Sequence, residues 1–258
     1  MPTLARICAT PVKALGLLHP ERVRMEPEGI RENRLFMLVD AAGRLVSNKR
    51  FPSLLQVRPS YDPASEWLEL RFPDGVEVSG DGASLGEELV VDLWGRPVPV
   101  ALVEGPFSTA ISRYAGAPLR LARCIRPGDG PDIHRLSLIS WESVAELGRR
   151  GGRDGDLDPR RFRMNLELSG CEPHEEDRWE GRRVRVGAVV IQVLGKVPRC
   201  TITTLDPLTG RKDFDTLKTI AKYRPLMQDE GGRGIPFGMY AEVEEPGEVA
   251  VGDLVEPL

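Results

Sequence analysis

Cysteine, histidine and lysine are all scarce in this 258-residue chain: four, three and six. Cys8, Cys124, Cys171 and Cys200 show no CxxC spacing. A disulfide framework, a cysteine-rich zinc site and a ferredoxin-type cluster therefore lack support, and a reducing compartment is expected. Three histidines leave little room for catalytic triads, and no GxSxG elbow is present. No Walker A loop precedes Gly195 and Lys196, and the Gly80/Gly82 and Gly128/Gly130 pairs lack the third glycine of a dinucleotide fold. Long apolar runs are missing too. Residues 184–194 are interrupted by Arg185, Gly187 and Gln192 and fall short of the ~20 residues of a membrane helix. Arg6 and Lys13 lie where a secretory signal needs apolar residues. The expectation is a cytoplasmic protein without membrane association. The basic excess of a nucleic-acid binder is also missing, the formal net charge being −4.

Glycine and proline are abundant, 27 and 22 residues, which disfavours a helical bundle and favours short strands joined by tight turns. The apolar run Leu35–Val39 reads as a strand stopped by a turn from Asp40 to Gly43. Alternation over 66–72 and again over 76–78 predicts a hairpin around Asp74 and Gly75. A short helix is expected from Ser108 to Tyr114, with Ser108 as N-cap and Gly116 as stop. Two clearer helices are expected over 140–149, capped by Ser140, and over 215–223, ended by Pro225. Residues 184–194, 240–243 and 249–255 read as strands. The predicted class is mainly β (α+β), two packed β-barrel-like units with a few short helices. Residues 117–135 read as a connection, and the units are divided as 1–120 and 121–258.

Two acidic segments invite a metal reading. Asp154, Asp156 and Asp158 imitate the start of an EF-hand loop, but Pro159 replaces the loop glycine and Asn165 stands at position twelve. The run His174 to Asp177 holds a single histidine and reads as a solvated loop. Cys200 differs from the other cysteines. It adjoins Arg199, whose charge favours thiolate, and it is followed by Thr201, Thr203 and Thr204 before a turn at Asp206, Pro207 and Gly210. A buried small apolar role and a functional thiol are both compatible with that pattern.

Arg199 and Cys200 with the following residues to Gly210 resemble the cysteine signature of MOSC domains. Phe162 to Asn165 resembles an upstream FRxN element, Glu176 to Trp179 an acidic-tryptophan element, and 237–240 and 246–253 the closing motifs. Pro11 to Ala14 and Glu32 to Asp40 are similar to motifs of the companion N-terminal β-barrel region. The six segments occur in the expected order across nearly the whole chain.

The resemblance implies a ligand, the molybdenum cofactor (Mo-molybdopterin), with Cys200 supplying sulfur to the metal. It places the phosphate-binding cations at Lys13, Arg34 and Arg163, and pterin recognition at Asn165 and Tyr240. Ile133, His134 and Arg199 complete the expected cofactor-binding set. Ala14, Asn33 and Pro198 depart from the family's usual Ser, Asp and Ser. The implied activity is reduction of small N-hydroxylated compounds, as in the amidoxime-reducing component. No flavin or iron–sulfur motif is visible, so electrons are expected from a separate flavin or iron–sulfur protein. The alternatives are a carrier of persulfide sulfur on Cys200, serving cofactor or cluster assembly, and a cofactor-binding module without turnover.

Overall fold

A strand with a continuous run of apolar side chains must bury both faces, and Phe36–Asp40, apolar from Phe36 to Val39, does so. Phe36 and Leu38 enter one core cluster, while Met37 and Val39 enter another on the opposite face. The computed structural model describes residues 1–153, 157–229 and 232–258. The chain opens with strands β1 (Thr3–Ile7), β2 (Arg22–Glu26), β3 (Gly29–Ile30), β4 (Phe36–Asp40) and β5 (Arg58–Asp62). Strands β6 (Trp67–Arg71), β7 (Glu77–Asp81), β8 (Leu85–Leu93) and β9 (Arg96–Val103) lead to helix α1 (Phe107–Ala115) and β10 (Leu119–Cys124). Next come β11 (Leu136–Ser140), α2 (Trp141–Arg150), β12 (Leu166–Ser169), β13 (Arg183–Val186) and β14 (Val189–Arg199). Helix α3 (Thr216–Ile220) precedes β15 (Met227–Asp229), β16 (Gly232–Glu245), β17 (Gly247–Ala250) and β18 (Val255–Pro257).

The protein is mainly β, in two packed β units. One is built on an eight-stranded sheet in the order β1-β12-β11-β16-β14-β13-β18, with β15 paired to β16. The other combines β4-β10-β9-β8 with β5-β6-β7. The units are not consecutive in sequence. Strand β1 pairs antiparallel with β12, and β2 with β17, so the N-terminal residues complete sheets whose other strands lie far along the chain. Leu4 and Ile7 accordingly sit in the same cluster as Leu166 and Val193. A division at 120/121 falls inside β10, whose pairing with both β4 and β9 keeps it in the first unit to Cys124.

The expected hairpin turns at Gly75, φ 83°, and Ser140 caps α2 by accepting from the Ser143 N–H. Three expectations differ. Pro106, not Ser108, stands at the N-cap of α1, and the Ser108 hydroxyl accepts from the Leu121 N–H instead. Helix α3 ends at Ile220, and Tyr223 and Arg224 turn back toward His174 and Asp177. The His174–Asp177 run is not a solvated loop. Glu176 is buried and accepts from the Ser140 N–H and from both serine hydroxyls, at 2.9–3.2 Å. Asp154 and Asp156 of the EF-hand-like segment lie outside the described residues.

Phe36 is fully buried, with Tyr61 edge-on at 5.3 Å. Phe36→Ala is expected to lower the unfolding free energy by about 3–5 kcal/mol, the usual cost of an emptied aromatic site. A denaturant titration checks this, and a loss under ~1 kcal/mol would show that the site collapses without cost.

Candidate functional site

The segment Cys8–Lys13 carries the chain from one unit to the other by changing hydrogen-bond partners. The Cys8 N–H donates to the Asn165 carbonyl at 2.8 Å, and the Asn165 N–H to the Ser137 carbonyl at 3.0 Å. Five residues on, the Lys13 N–H donates to Phe36 at 2.8 Å, while Arg34 donates to Thr10 and Phe36 to Pro11. This seam forms one wall of a cavity of about 330 Å³. Lys13, Arg34, Ile133, His134, Arg163, Asn165, Arg199, Cys200 and Tyr240 all line it, so every residue that the resemblance assigns to the cofactor faces one space.

The lining is strongly electropositive. Among the described residues it contains Lys13, Arg34, Lys49, Arg161, Arg163 and Arg199 against one carboxylate, Asp132. Asp132 takes Lys13 Nζ on Oδ1 at 2.8 Å and Arg34 on Oδ2 at 2.9 Å. Lys13 also donates to the Gly130 carbonyl, and Arg163 to the Leu15 carbonyl at 2.7 Å. Burial lowers Lys13 to about 8, with Arg34 adding to the fall and Asp132 opposing it. Burial beside Arg34 lowers Arg163 to about 9, and burial lowers Arg199 to about 10. The surrounding protein opposes ionisation of Asp132, but Lys13 and Arg34 outweigh it and hold the carboxyl well below its usual range. Arg199 donates to the Phe162 carbonyl, yet its Nε is buried without a protein partner.

Backbone strain gathers at the same place. Six described non-glycine residues have positive φ, and four of them, Ala14, Arg34, Trp94 and Arg163, line the cavity. Such conformations persist where the surroundings over-determine them.

Cys200 follows β14 and opens a 3-10 turn, Thr201–Thr204. Arg161 braces that turn. It donates to the Thr203 carbonyl at 3.1 Å and grips both oxygens of Asp213 at 3.0–3.1 Å. The Thr216 hydroxyl reaches the same carbonyl at 2.6 Å. All four cysteines are free, and Cys200 alone is not buried. Burial pushes the Cys124 and Cys171 thiols up to about 12, and Cys8, buried against Glu167, well above its ordinary value. Cys8 also lies 3.4 Å from His19 Nδ1, a contact with no signal in the sequence.

Asn165 is partly committed to its own protein: Oδ1 accepts from the Ser137 hydroxyl and Nδ2 donates to the Cys8 carbonyl. One amide hydrogen is then left for a ligand. His134 packs against Tyr240 with ring centroids 4.9 Å apart and planes tilted by 54°, and meets Glu242 at 3.1 Å. Asn48, which donates to the Ala14 carbonyl, and Trp94 belong to the site but escaped the sequence reading. Gly95 between two alternating runs is a hairpin signal that the sequence analysis did not use, and such a signal does not show where the tip points.

Residues 128–256 match the MOSC domain family and residues 1–95 the MOSC N-terminal beta barrel domain. The chain belongs to the MOSC family. It is 35% identical over 129 residues to mitochondrial amidoxime reducing component 2 of Rattus norvegicus, covering 48% of this chain and 37% of that protein. It is 30% identical to molybdenum cofactor sulfurase of Anopheles gambiae, over 93% of this chain and 34% of that protein. It is 24% identical to mitochondrial amidoxime-reducing component 1 of Homo sapiens, over 98% of this chain and 82% of that protein. The chain thus spans about a third of the rat and mosquito proteins. Among solved structures, the YUAD protein of Bacillus subtilis aligns over all of this chain and 96% of its own, at 13% identity and a TM-score of 0.47. Among the described residues no helix is long and apolar enough to cross a membrane.

The cavity's charge makes two tests available without any cofactor. Inorganic phosphate is expected to bind the cofactor-free protein, and its affinity to fall as pH rises through about 8, where Lys13 sheds its proton. Lys13→Met should weaken binding about tenfold and flatten that alkaline limb, as calorimetric titration would show. An unchanged limb in Lys13→Met would assign the loss to another group. Gly130→Ala tests the geometry, because a Cβ there collides with the Arg34 carbonyl oxygen. Its phosphate affinity should fall by a similar factor. Affinity equal to that of the unaltered protein would show that the loop yields.

Proposed function

We propose that this protein binds the molybdenum cofactor as Mo-molybdopterin and reduces small N-hydroxylated compounds, with electrons delivered by a separate flavin or iron–sulfur protein. The observation that carries the reading is the cavity itself. The one cysteine that is not buried stands in its wall, and Lys13, Arg34 and Arg163 gather in the same space. The orphaned Arg199 Nε and the depressed Lys13 and Arg163 mark a cluster whose positive charge Asp132 alone does not balance. A phosphate-bearing ligand supplies a further anion.

In this reading Lys13, Arg34 and Arg163 hold the phosphate. Asn165, Tyr240, Ile133, His134 and Arg199 surround the pterin, and the Cys200 thiolate ligates the metal. Thiolate is a soft donor suited to a sulfur-rich centre. When bound, the cofactor supplies a two-electron redox centre that removes the oxygen of an N–OH group. The net reaction takes up two electrons and two protons and releases an amine or amidine and water. The protein's own task is to orient the cofactor and hold Cys200 at a fixed position, which the Arg161 and Thr216 contacts to Thr203 serve. Related proteins include two amidoxime reducing components, which favours this reaction class.

A persulfide carrier is the second reading, favoured by the partial exposure of Cys200 and by the sulfurase relative. A carrier needs an accessible thiol but has no use for cations gathered around Asp132. A cofactor-binding module without turnover keeps the cations but needs no electron donor.

Protein produced in a cofactor-competent host separates the three. Molybdenum and pterin in near-equal amounts, with amidoxime reduction driven by reduced viologen but not by NADH alone, would support the reductase. Cys200→Ser should abolish reduction while retaining pterin, and the corresponding changes at Cys8, Cys124 and Cys171 should leave activity largely intact. Full reduction by Cys200→Ser would overturn the ligand role. Sulfur mass gained on Cys200 from a desulfurase, without bound pterin, would establish the carrier.

A further inference from the structure

Trp94 has no part in the function proposed above, yet the structure spends much to place it. It is a large apolar side chain with 58% of its surface exposed. It sits at the tip of the β8–β9 hairpin with φ 59°, followed by Gly95 with φ 89°. Two consecutive positive φ values define the type I′ turn, in which Asn or Asp usually precedes Gly. A tryptophan there carries backbone strain with little burial in return.

What the side chain gains is contact across the anion end of the cavity. Its Nε1 donates to Asp132 Oδ1 at 2.7 Å, the oxygen that also accepts from Lys13. Lys49 Nζ lies 5.6 Å from the ring centroid, within cation–π range. Two residues on, Arg96 donates to the carbonyls of Asp129 and Pro131, both at 2.7 Å. The hairpin tip is therefore stitched to the loop that carries Asp132 at three points, one of them on the carboxylate that organises Lys13 and Arg34.

We propose that Trp94 is a positioning residue for the anion end. Its indole N–H fixes the Asp132 carboxylate, and through it Lys13 and Arg34, so that the hairpin tip retains a phosphate monoester held by those cations. The proposal rests on the cofactor-binding reading above. Asp132 has two oxygens and three donors, and without the indole its Oδ1 is held by Lys13 alone. The carboxylate can then turn, and the two cations lose their fixed spacing.

The test follows release of the cofactor. Unaltered protein, Trp94→Phe, Asp132→Ala and the double variant are isolated from a host that makes molybdenum cofactor. After dilution, released pterin is oxidised to its fluorescent form and timed, and thermal midpoints of the cofactor-free proteins are recorded. Trp94→Phe keeps an aromatic cover but loses the N–H. Release about tenfold faster is expected, the effect of one hydrogen bond to a charged group. The midpoint should stay within ~2 °C, since little surface is buried there. The double variant should release no faster than Asp132→Ala, because alanine removes the oxygen that the indole N–H reaches and both changes then delete one interaction. Release from Trp94→Phe at the unaltered rate overturns the proposal alone, as do additive effects in the double variant or a midpoint loss above ~5 °C. Unaltered protein that retains no pterin overturns the cofactor reading and this proposal with it.

Discussion

Cations crowded into one cavity repel one another, and this structure holds Lys13, Arg34, Arg163 and Arg199 together against that repulsion. The restraint is backbone hydrogen bonding along the seam. Cys8 is tied to Asn165, and Thr10, Pro11 and Lys13 to Arg34 and Phe36, so the backbone of Lys13 and Arg34 is held beside that of Asn165. A single carboxylate cannot balance them. The lowered Lys13, Arg163 and Arg199 register what remains uncompensated, since a buried charge without a partner favours its neutral form. Three of the four left-handed residues on the wall, Ala14, Arg34 and Arg163, belong to the same balance. Strain and charge are both stored where a ligand would relieve the second.

The thiol follows a different logic. Four cysteines are free, and the fold distinguishes them by burial. Cys8, Cys124 and Cys171 lie in cores or beside carboxylates, where the protonated form is favoured. Cys200 is left partly exposed because β14 ends just before it and the chain turns tightly at Thr201–Thr204. That turn is anchored from below by Arg161, itself almost fully buried and neutralised by Asp213. The cation next to the thiol in sequence, Arg199, is directed instead at the Phe162 carbonyl and the Met164 sulfur.

Features set by neighbours in sequence were legible before the structure. The apolar run of β4, the Gly75 turn and the Ser140 cap each depend on a few adjacent residues. The cysteine motif was legible for the same reason, and the order of the motifs pointed to the family. Features that depend on distant partners were not legible. Ser108 has the chemistry of a cap, but its hydroxyl is taken by Leu121 thirteen residues later. The acidic run looked solvated because its charges are visible in sequence, while the serines that satisfy Glu176 lie more than thirty residues away. Within the site, the convergence of Lys13 and Arg163 rested on family resemblance, since no local pattern joins residues so far apart. Trp94 was missed because Trp–Gly is not the Asn–Gly or Asp–Gly pair that signals a tight hairpin, and no local pattern joins residue 94 to Asp132.

The exchange of strands between units also bears on how the chain is made. Thr3 pairs with Ser169, and Met25 with Gly247. At a synthesis rate of roughly 5–20 residues per second, β1 waits on the order of 10–30 s for its partner to emerge. Throughout that interval a nascent strand with an apolar face and unpaired amides stands open on the ribosome. The sheet that carries Cys200 closes only when its earliest and latest parts meet, an arrangement of high contact order and correspondingly slow folding. Shielding of β1 during synthesis is thus a demand set by strand pairing, separate from the stability of the finished fold.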